Sequence, residues 1–295
     1  MIEIVAPKNI GNDIEGGNFL SLFFKKSTEK NNEIVVDFKN TRWVRANLTS
    51  VLGAICWNAW ANNTRVTFKN LTPSIKRIFS KNHFYKKFGV SPVKDEYNST
   101  IKYREFAPEE KTVFSLYVRE EFIPSIGIKF SKKFEQEFRT AIEELFQNCR
   151  LHGECDKIFV CGQYFPSEKR LYFTITNLGV TIKENIEKRF KEYLISPEGA
   201  IIWATKKGNT TRLEENIGGI GLDFLINFLD STKGKIHIIS DQASYERENK
   251  LVKTQLMENK FSGTMVTLIF SVNDICKKYD DRDYFDKIDI LENFF

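Results

Sequence analysis

The sequence predicts an α/β protein built from two domains. Strand-like and helix-like segments alternate over the first 92 residues, whereas the second half begins with a long amphipathic helix and continues with four strand-like segments. The length of 295 residues matches about two average domains. Hydrophobic residues make up 41% and charged residues 28% of the chain, which is ordinary for a folded protein.

The first part of the chain has a β-α-β-α order. Residues 33–38 form a β-branched run that ends in turn residues, and residues 46–61 carry apolar side chains near one helical face. Residues 65–68 predict the next strand, and a second helix starts at Ser74. Because strands joined by helical crossovers lie parallel, this order predicts a small parallel sheet.

The connecting region, residues 93–124, contains two segments of alternating apolar and polar residues. These segments are residues 101–106 and 112–118, and turn-forming residues 107–110 separate them. Such alternation on both sides of a short turn predicts a β-hairpin.

A long helix is predicted from Ser131, because apolar residues recur at helical spacing, at Phe134, Phe138, Ile142, Leu145 and Phe146. Strands are predicted after it at residues 158–162, 171–176, 235–240 and 265–270. The polar, helix-interrupted stretch 181–217 has the length and position of a mobile lid. Residues 273–295 form an acidic tail that ends in two phenylalanines.

Two polar residues of the long helix point to phosphate chemistry. Glu144 and Asn148 are four residues apart, so they share one face of the helix. A carboxylate at this place can accept a proton from a water or hydroxyl, and an amide oxygen is a suitable Mg²⁺ ligand. His152 lies on the same face and suits either contact with phosphate or packing in the core.

A glycine cluster lies about seventy residues later in the chain. Gly218, Gly219 and Gly221 stand at the mouth of the apolar run 222–229. Glycines let backbone N–H groups approach an anion, and a helix start supplies unpaired donors and partial positive charge. Together they predict a phosphate cradle, although no G-x-x-x-x-G-K-[ST] pattern occurs.

Four motifs in residues 125–272 resemble, in order, the boxes of the GHKL family of ATP-binding domains. Residues 144–148 match the E-x-x-x-N box, and the longer run 144–153 is similar to the version in anti-sigma factor kinases. Residues 177–179, 218–222 and 263–264 stand at the later boxes. The resemblance implies a Bergerat-type α/β sandwich with helices on one face of a mixed sheet.

The residues and the resemblance together predict ATP and Mg²⁺ as cofactors, with Glu144 catalytic and Asn148 as the metal ligand. The predicted nucleotide-binding residues are Asn148, His152, Asn177, Gly179, Lys206, Lys207, Arg212, Gly218, Gly219, Gly221, Leu222 and Thr264. Asn177 stands where the family has Asp, and Thr181 replaces the family's second glycine. Because Asn lacks the charge, we expect adenine binding to be weaker than in the family.

The N-terminal pattern of elements resembles a STAS-like domain, the fold of anti-sigma factor antagonists. In that family a Ser at the start of the first long helix is phosphorylated. The matching residues here, 44–48, include no hydroxyl side chain, and the first one is Thr49. The predicted organisation is therefore a STAS-like domain (1–92), a connecting β-hairpin (93–124), a GHKL domain (125–272) and an acidic tail (273–295). A small α/β domain used only for packing or dimerisation is the alternative for the first part.

Composition limits the partners. The net charge of +5 is too mild to indicate nucleic-acid binding, which prefers a concentrated basic face. The most apolar stretch, residues 51–61, is too short to span a bilayer. The five cysteines form no C-x-x-C pair and suit free thiols in a cytoplasmic protein. We expect a protein partner and consider a homodimer.

Three functions remain open. The first is a Mg-dependent ATPase or ATP-driven conformational switch that acts on a protein partner. The second is a serine/threonine protein kinase of the anti-sigma type, and the third is a binding module without catalysis. A self-contained histidine kinase is disfavoured, because none of His83, His152 and His237 lies in a two-helix module.

Overall fold

The computed structural model describes residues 1–97, 99–125, 131–191, 194–211 and 221–278. The strands are β1 (Ile2–Val5), β2 (Asn9–Ile10), β3 (Glu33–Asp37), β4 (Trp43–Val44), β5 (Arg65–Lys69), β6 (Thr100–Phe106), β7 (Ile158–Phe165), β8 (Arg170–Asn177), β9 (Lys235–Glu248) and β10 (Leu251–Ser271). The helices are α1 (Ile14–Ser27), α2 (Thr49–Ala61), α3 (Pro73–Lys81), α4 (Lys111–Tyr117), α5 (Ile123–Ser125), α6 (Lys132–His152), α7 (Ile182–Arg189), α8 (Pro197–Ala204), α9 (Gly221–Ser231) and α10 (Val272–Lys278). The chain is thus a mixed α/β protein.

The N-terminal unit contains a three-stranded parallel sheet in the order β1-β3-β5. The predicted parallel pairing of residues 33–38 with 65–68 is confirmed, with Ile34 opposite Val66. The sequence reading missed β1 and α1. Helix α1 begins at Asp13, whose carboxylate accepts the backbone N–H of Gly16 at 2.8 Å and so satisfies a donor of the first turn.

The second sheet has five strands in the order β6-β7-β8-β10-β9. Each described pair of neighbours in it is antiparallel, so the expected mixed sheet is wrong for this part of the molecule. For the pairs β7–β8 and β9–β10 this follows from short connections, which leave no room for a crossover helix.

The predicted hairpin in residues 93–124 is wrong. Strand β6 pairs with β7, and the segment predicted as its partner is helix α4 followed by a π-helical turn, Val118–Phe122. Phe114, Tyr117 and Val118 are buried at spacings of three and one, whereas Val113 and Leu116 are exposed. Because that apolar run fits a period of 3.6 as well as a period of two, packing decided between them.

Both faces of the five-stranded sheet are covered. One face packs on α6 and α9 in a core rich in phenylalanine, with Phe138 against Phe270 at a ring distance of 4.9 Å. The other face packs on α1 and α2, which lie between the two sheets. Helices α6 and α9 of residues 125–272 thus lie on one face, and the N-terminal unit supplies the second layer, which the sequence did not predict.

Strands β9 and β10 form a hairpin that extends beyond the predicted segments 235–240 and 265–270. The turn residues Asn249 and Lys250 both have positive φ, at 50° and 67°. Type I′ two-residue turns need positive φ at both positions, a conformation that Asn adopts readily and Lys rarely. The turn therefore lacked the usual Asn-Gly signal in the sequence.

Three further expectations concern the whole chain. No helix in the described ranges is both long and apolar enough to cross a membrane. Cys56, Cys149, Cys155 and Cys161 are free thiols. Of the predicted acidic tail, residues 273–278 continue α10, and the rest lies outside the described residues.

Candidate functional site

Helix α6 presents the predicted acid and amide. It begins at Ser131, whose hydroxyl accepts the N–H of Phe134 at 3.2 Å, and an apolar stripe anchors it to the sheet. Glu144 lies at the margin of that stripe and is 8% exposed. The neighbouring Glu143 is engaged elsewhere, because it accepts the Ser115 hydroxyl at 2.6 Å. The helix therefore separates the two acids as the spacing predicts.

The Asn148 side chain has an unsatisfied donor. Its Nδ2 atom is buried and has no hydrogen-bond partner within the described part of the chain. A buried amide without a partner costs about 1–3 kcal/mol. Such a cost is expected where a ligand supplies the missing acceptor.

Asn177 has the same property at the end of the central strand β8. It lies opposite Ile158 of β7 and Thr264 of β10, and it is 1% exposed. Its Nδ2 atom is buried without a partner among the described residues, and it lies against Gly153. Gly153 caps helix α6 five residues after Asn148, a rise of about 7.5 Å along the helix axis, so the two amides belong to one region.

The backbone around Asn177 requires glycines. Gly179 has a φ of 154°, and a side chain there would collide with the carbonyl oxygen of Gly153. Gly263 has a φ of 116°, and a side chain there would collide with the carbonyl oxygen of Asn177. The glycines at these two predicted boxes therefore bring three backbone segments together around one side chain.

Thr264 belongs to a hydrogen-bonded group that the sequence did not reveal. Its hydroxyl lies 3.2 Å from the hydroxyl of Ser240 on β9. Ser240 donates to the carbonyl oxygen of Gly263 at 2.7 Å and accepts the N–H of Ile182 at 3.0 Å. Ser240 thus fixes the start of α7 beside the last glycine box. In the sequence, the only signal for Ser240 was its position at the end of a predicted strand.

Thr181 has a structural task of its own. Its hydroxyl accepts the N–H of Glu184 at 3.1 Å, and the Glu184 carboxylate accepts the N–H of Thr181 at 2.8 Å. This reciprocal capping box begins α7. Helix initiation therefore accounts for the threonine at residue 181.

His152 connects α6 to the predicted lid. Its Nδ1 atom lies 3.1 Å from the Thr211 hydroxyl, and its carbonyl oxygen accepts the Asn185 side-chain amide at 2.6 Å. Lys206 and Lys207 follow α8 and are exposed. Thr211, which follows these lysines closely in the chain, therefore contacts the C-terminal end of α6.

The glycine cluster is only partly within the described residues. Arg212, Gly218 and Gly219 lie outside them. Gly221 is the first residue of α9, and Leu222 packs against the core that α6 shares with the sheet. Phe134 of α6 contacts Phe228 of α9 at 5.7 Å, so the helix with the acid–amide face and the helix after the glycines are neighbours.

The donor set fits a nucleotide with Mg²⁺. In the described ranges no three His, Cys, Asp or Glu side chains form a metal-binding group. Mg²⁺ does not need one, because it keeps waters and phosphate oxygens and takes few protein ligands. Burial raises the pKa of the Cys149 thiol, which therefore stays protonated beside Asn148 and is a poor nucleophile.

No protein-family model matches the chain, and no curated protein matches it. Among solved structures, the chain is similar to the ATPase region of Saccharomyces cerevisiae topoisomerase II bound to ICRF-187 (dexrazoxane), with 19% identity and a TM-score of 0.25. The match covers 44% of this chain and 35% of that chain. The fold and the site define the chain as a mixed α/β protein with two unpaired amide donors, Asn148 Nδ2 and Asn177 Nδ2, where α6 ends beside β8.

Proposed function

We propose that the chain is an ATP-binding protein of the GHKL type, which acts as a Mg-dependent ATPase or ATP-driven conformational switch on a protein partner. The observation that carries the proposal is the pair of buried, unpartnered amides of Asn148 and Asn177. Both lie at residues that the motifs assign to nucleotide binding. A nucleotide offers each donor an acceptor, a phosphate oxygen for Asn148 and a ring nitrogen of the base for Asn177.

The roles follow from the chemistry of the side chains. Asn148 would hold the cation through its amide oxygen and a phosphate oxygen through its N–H₂ group. Glu144, one turn earlier on the helix, accepts the proton of the attacking water or hydroxyl. Mg²⁺, when bound, neutralises charge on the phosphate oxygens.

The remaining groups bind and enclose the nucleotide. Asn177 and Thr264 meet the base, and the backbone of Gly179 lets the base approach. Lys206 and Lys207 would bind the phosphates, and the sequence pattern assigns the same task to Arg212 and to the glycines Gly218, Gly219 and Gly221. His152, which already contacts Thr211, holds the lid end near the phosphates.

Two alternatives keep specific support. The run 144–153 favours a serine/threonine protein kinase of the anti-sigma type, in which Glu144 accepts the proton of a protein hydroxyl. The uncharged Asn177 favours a binding module without turnover. The STAS-like assignment of residues 1–92 belongs to the same proposal, with that unit as the regulatory or partner-binding part.

A thermal-shift series tests nucleotide binding. ATP, ADP, GTP and a non-hydrolysable ATP analogue are each added with and without Mg²⁺. A ligand that binds only the folded state raises the melting temperature by mass action, so we expect the largest rise with Mg-ATP. Asn148→Ala should remove that rise, whereas Gln147→Ala, next to it, should keep it. Equal melting temperatures in all conditions would contradict the proposal.

A second measurement separates the three functions. The protein is incubated with γ-labelled ATP, and both free phosphate and label on added protein partners are followed. Free phosphate supports the ATPase, and label on a serine or threonine supports the kinase. Binding without either product supports the non-catalytic module.

A further inference from the structure

A cavity lies on the opposite face of the five-stranded sheet from α6. Its volume is about 470 Å³, within the range of small-molecule sites. The N-terminal unit and the sheet both line it. The lining residues are Asn9, Gly11, Asn12, Asp13, Trp43, Arg45, Arg170, Tyr172, Lys235 and Ile269. The cavity is therefore part of the junction between the two units.

Its position separates it from the candidate nucleotide site. Tyr172 and Asn177 are both on β8, five residues apart, which corresponds to roughly 17 Å along a strand. Tyr172 also points to the same side of the sheet as Thr174, which accepts the Asn47 amide from the N-terminal unit at 2.7 Å. The cavity thus opens beside α1 and α2, away from the acid–amide face.

Three cations from separate elements converge on this cavity. Arg45 follows β4, Arg170 begins β8 and Lys235 begins β9. The side chains of Arg45 and Lys235 are only 18% and 17% exposed, so both are held close to the protein surface. Asp13 is the one carboxylate in the lining, and it is engaged as the cap of α1.

Arg45 is held in place by aromatic rings. Its guanidinium carbon lies 4.1 Å from the ring centre of Tyr172, 4.6 Å from that of Trp43 and 5.0 Å from that of Phe165. Its contacts with the Glu168 carboxylate are long, at 3.4–3.5 Å. The rings therefore fix the guanidinium plane, and its five N–H donors are bound only loosely.

The acidic partners of the other two cations hold them from outside the lining. Lys235 lies 2.8 Å from Glu246, and Arg170 lies 3.2 Å from Glu248. These acids orient the cations, but they leave further N–H donors for a ligand. An anion that enters would meet one pre-oriented guanidinium and two more positive groups.

A buried polar layer forms the floor. The Asn12 amide donates to Thr267 at 3.0 Å, and Asn47 donates to Asn12 at 3.2 Å. The Oδ1 atom of Asn47 has no hydrogen-bond partner among the described residues, although Asn47 is completely buried. This lone acceptor does not attract an anion, so the attraction for an anion comes from the three cations.

We propose that this cavity binds a small organic phosphate with a flat ring. A phosphate group brings up to two charges and three acceptor oxygens, which suits three converging cations better than a carboxylate does. Trp43 and Tyr172 supply aromatic walls for the ring. A ligand there touches both units and strengthens their association.

Calorimetric titration of the full chain with phenyl phosphate tests the proposal. We expect saturable binding with one site per chain, tighter than for inorganic phosphate and for benzoate, because only phenyl phosphate has both the ring and the phosphate. Arg45→Lys keeps the positive charge but loses the planar guanidinium with its five N–H donors. Arg170→Gln and Lys235→Gln each lose a charge. Each should weaken binding roughly tenfold.

Two controls complete the experiment. Arg65→Gln removes an exposed cation far from the cavity, and Asn148→Ala alters the candidate nucleotide site; both should bind phenyl phosphate with the parent affinity. Arg170 is 38% exposed, so its variant should keep the fold even if the Arg45 variant does not. The proposal is overturned if phenyl phosphate does not saturate the protein or if benzoate binds equally well. It is also overturned if folded Arg170→Gln and Lys235→Gln bind with the parent affinity, or if Asn148→Ala loses binding.

Discussion

The Asn177 carboxamide is 1% exposed, ends a central strand and has an amide donor without a partner. An amide can donate and accept, whereas a carboxylate only accepts, and charge makes its hydrogen bonds roughly twice as strong. The atom at the Nδ2 position therefore sets the strength of the contact with the base. An oxygen there, as in Asp, would bind an amino group more strongly, whereas the nitrogen of Asn makes a neutral and more tolerant contact.

The first prediction concerns that atom. Asn177→Asp should tighten ATP binding by roughly tenfold, because the carboxylate accepts the adenine amino proton with a charge-assisted bond. The same change should lower the melting temperature of the ligand-free protein, since it buries a charge. Calorimetric titration measures the first effect. Asn227→Asp, at an exposed position of α9, adds the same charge as a control; weaker or unchanged ATP binding in Asn177→Asp would show that residue 177 does not meet the base.

Glu144 carries the second prediction. Glu144→Ala should bind Mg-ATP and lose turnover by a factor of about 10²–10⁴, because the general base is gone while the phosphate ligands remain. Phosphate release under saturating ATP measures turnover, and thermal shift measures binding. Glu143→Ala is the matched control, since that acid bonds Ser115 instead. Hydrolysis at the parent rate in Glu144→Ala would assign the base to another residue.

His237 carries the third prediction, on stability against pH. Burial lowers its pKa from 6.5 to about 4, while Glu246 and Asp13 raise it slightly and Lys235 lowers it. The folded protein therefore holds the ring neutral, and the unfolded chain binds the proton first as the pH falls. The resulting stability, about 3 kcal/mol, is present above pH 6.5 and is lost progressively between pH 6.5 and 4.

Denaturant unfolding at a series of pH values measures this loss. His237→Gln keeps a hydrogen-bonding group for Ser244, which lies 2.8 Å from the His237 ring nitrogen, and removes the titration. The variant should show a flatter dependence of the unfolding free energy on pH in that window. A parent-like slope in the variant would assign the acid sensitivity to other groups.

At the scale of single elements, the sequence correctly predicted the helices and strands whose spacing of apolar residues fits only one type of secondary structure. Helix α6 has an apolar stripe that fits only a period of 3.6, and the region of β3, α2 and β5 showed its parallel pairing. The prediction was wrong at helix α4, because the apolar residues there fit the period of a strand as well as that of a helix. Helix α1 was missed because Gly16 and Gly17 stand in its first turn, where tight packing against Gly11, Ile239 and Met257 outweighs their low helix propensity.

The candidate site divides in the same way. The spacing of Glu144 and Asn148 could be predicted, because one helix fixes it. The group around Ser240 could not, because it joins β9, β10 and the start of α7 through contacts between residues 23 to 58 apart in sequence. The unpaired amide donors also depend on such long-range packing, which no local pattern reports.

The fourth prediction concerns the packing of α2 on β6. Gly53 lies against the Tyr103 ring, and a side chain at residue 53 would collide with its hydroxyl and ring atoms. Gly53→Ala should therefore destabilise the protein by about 1–3 kcal/mol, although alanine favours helices. Urea unfolding measures the change. Tyr103→Phe removes one colliding atom, so the double variant should lose less than the sum of the two single variants; strict additivity would place the strain elsewhere.

For the whole molecule, the two sheets share one core through α1 and α2. Phe24 of α1 contacts Phe261 of β10 at 5.3 Å, and Trp57 of α2 contacts Phe159 of β7 at 6.2 Å. Glu105 of β6 joins Lys87 of the N-terminal unit at 2.7 Å and Lys157 at 3.0 Å. The N-terminal unit therefore acts as one layer of the sheet's packing.

The fifth prediction follows from this shared core. The full chain should unfold in one cooperative transition, with equal calorimetric and van't Hoff enthalpies, because separating the units exposes the α1–α2 face of the five-stranded sheet. A fragment of residues 93–295 should fail to fold, since Phe159, Phe261 and Met265 would lose their buried surroundings. Calorimetry of the full chain and near-ultraviolet circular dichroism of the fragment measure these outcomes. Two separate transitions, together with a folded fragment, would show that residues 1–92 are an independent domain and that the sheet needs no second layer.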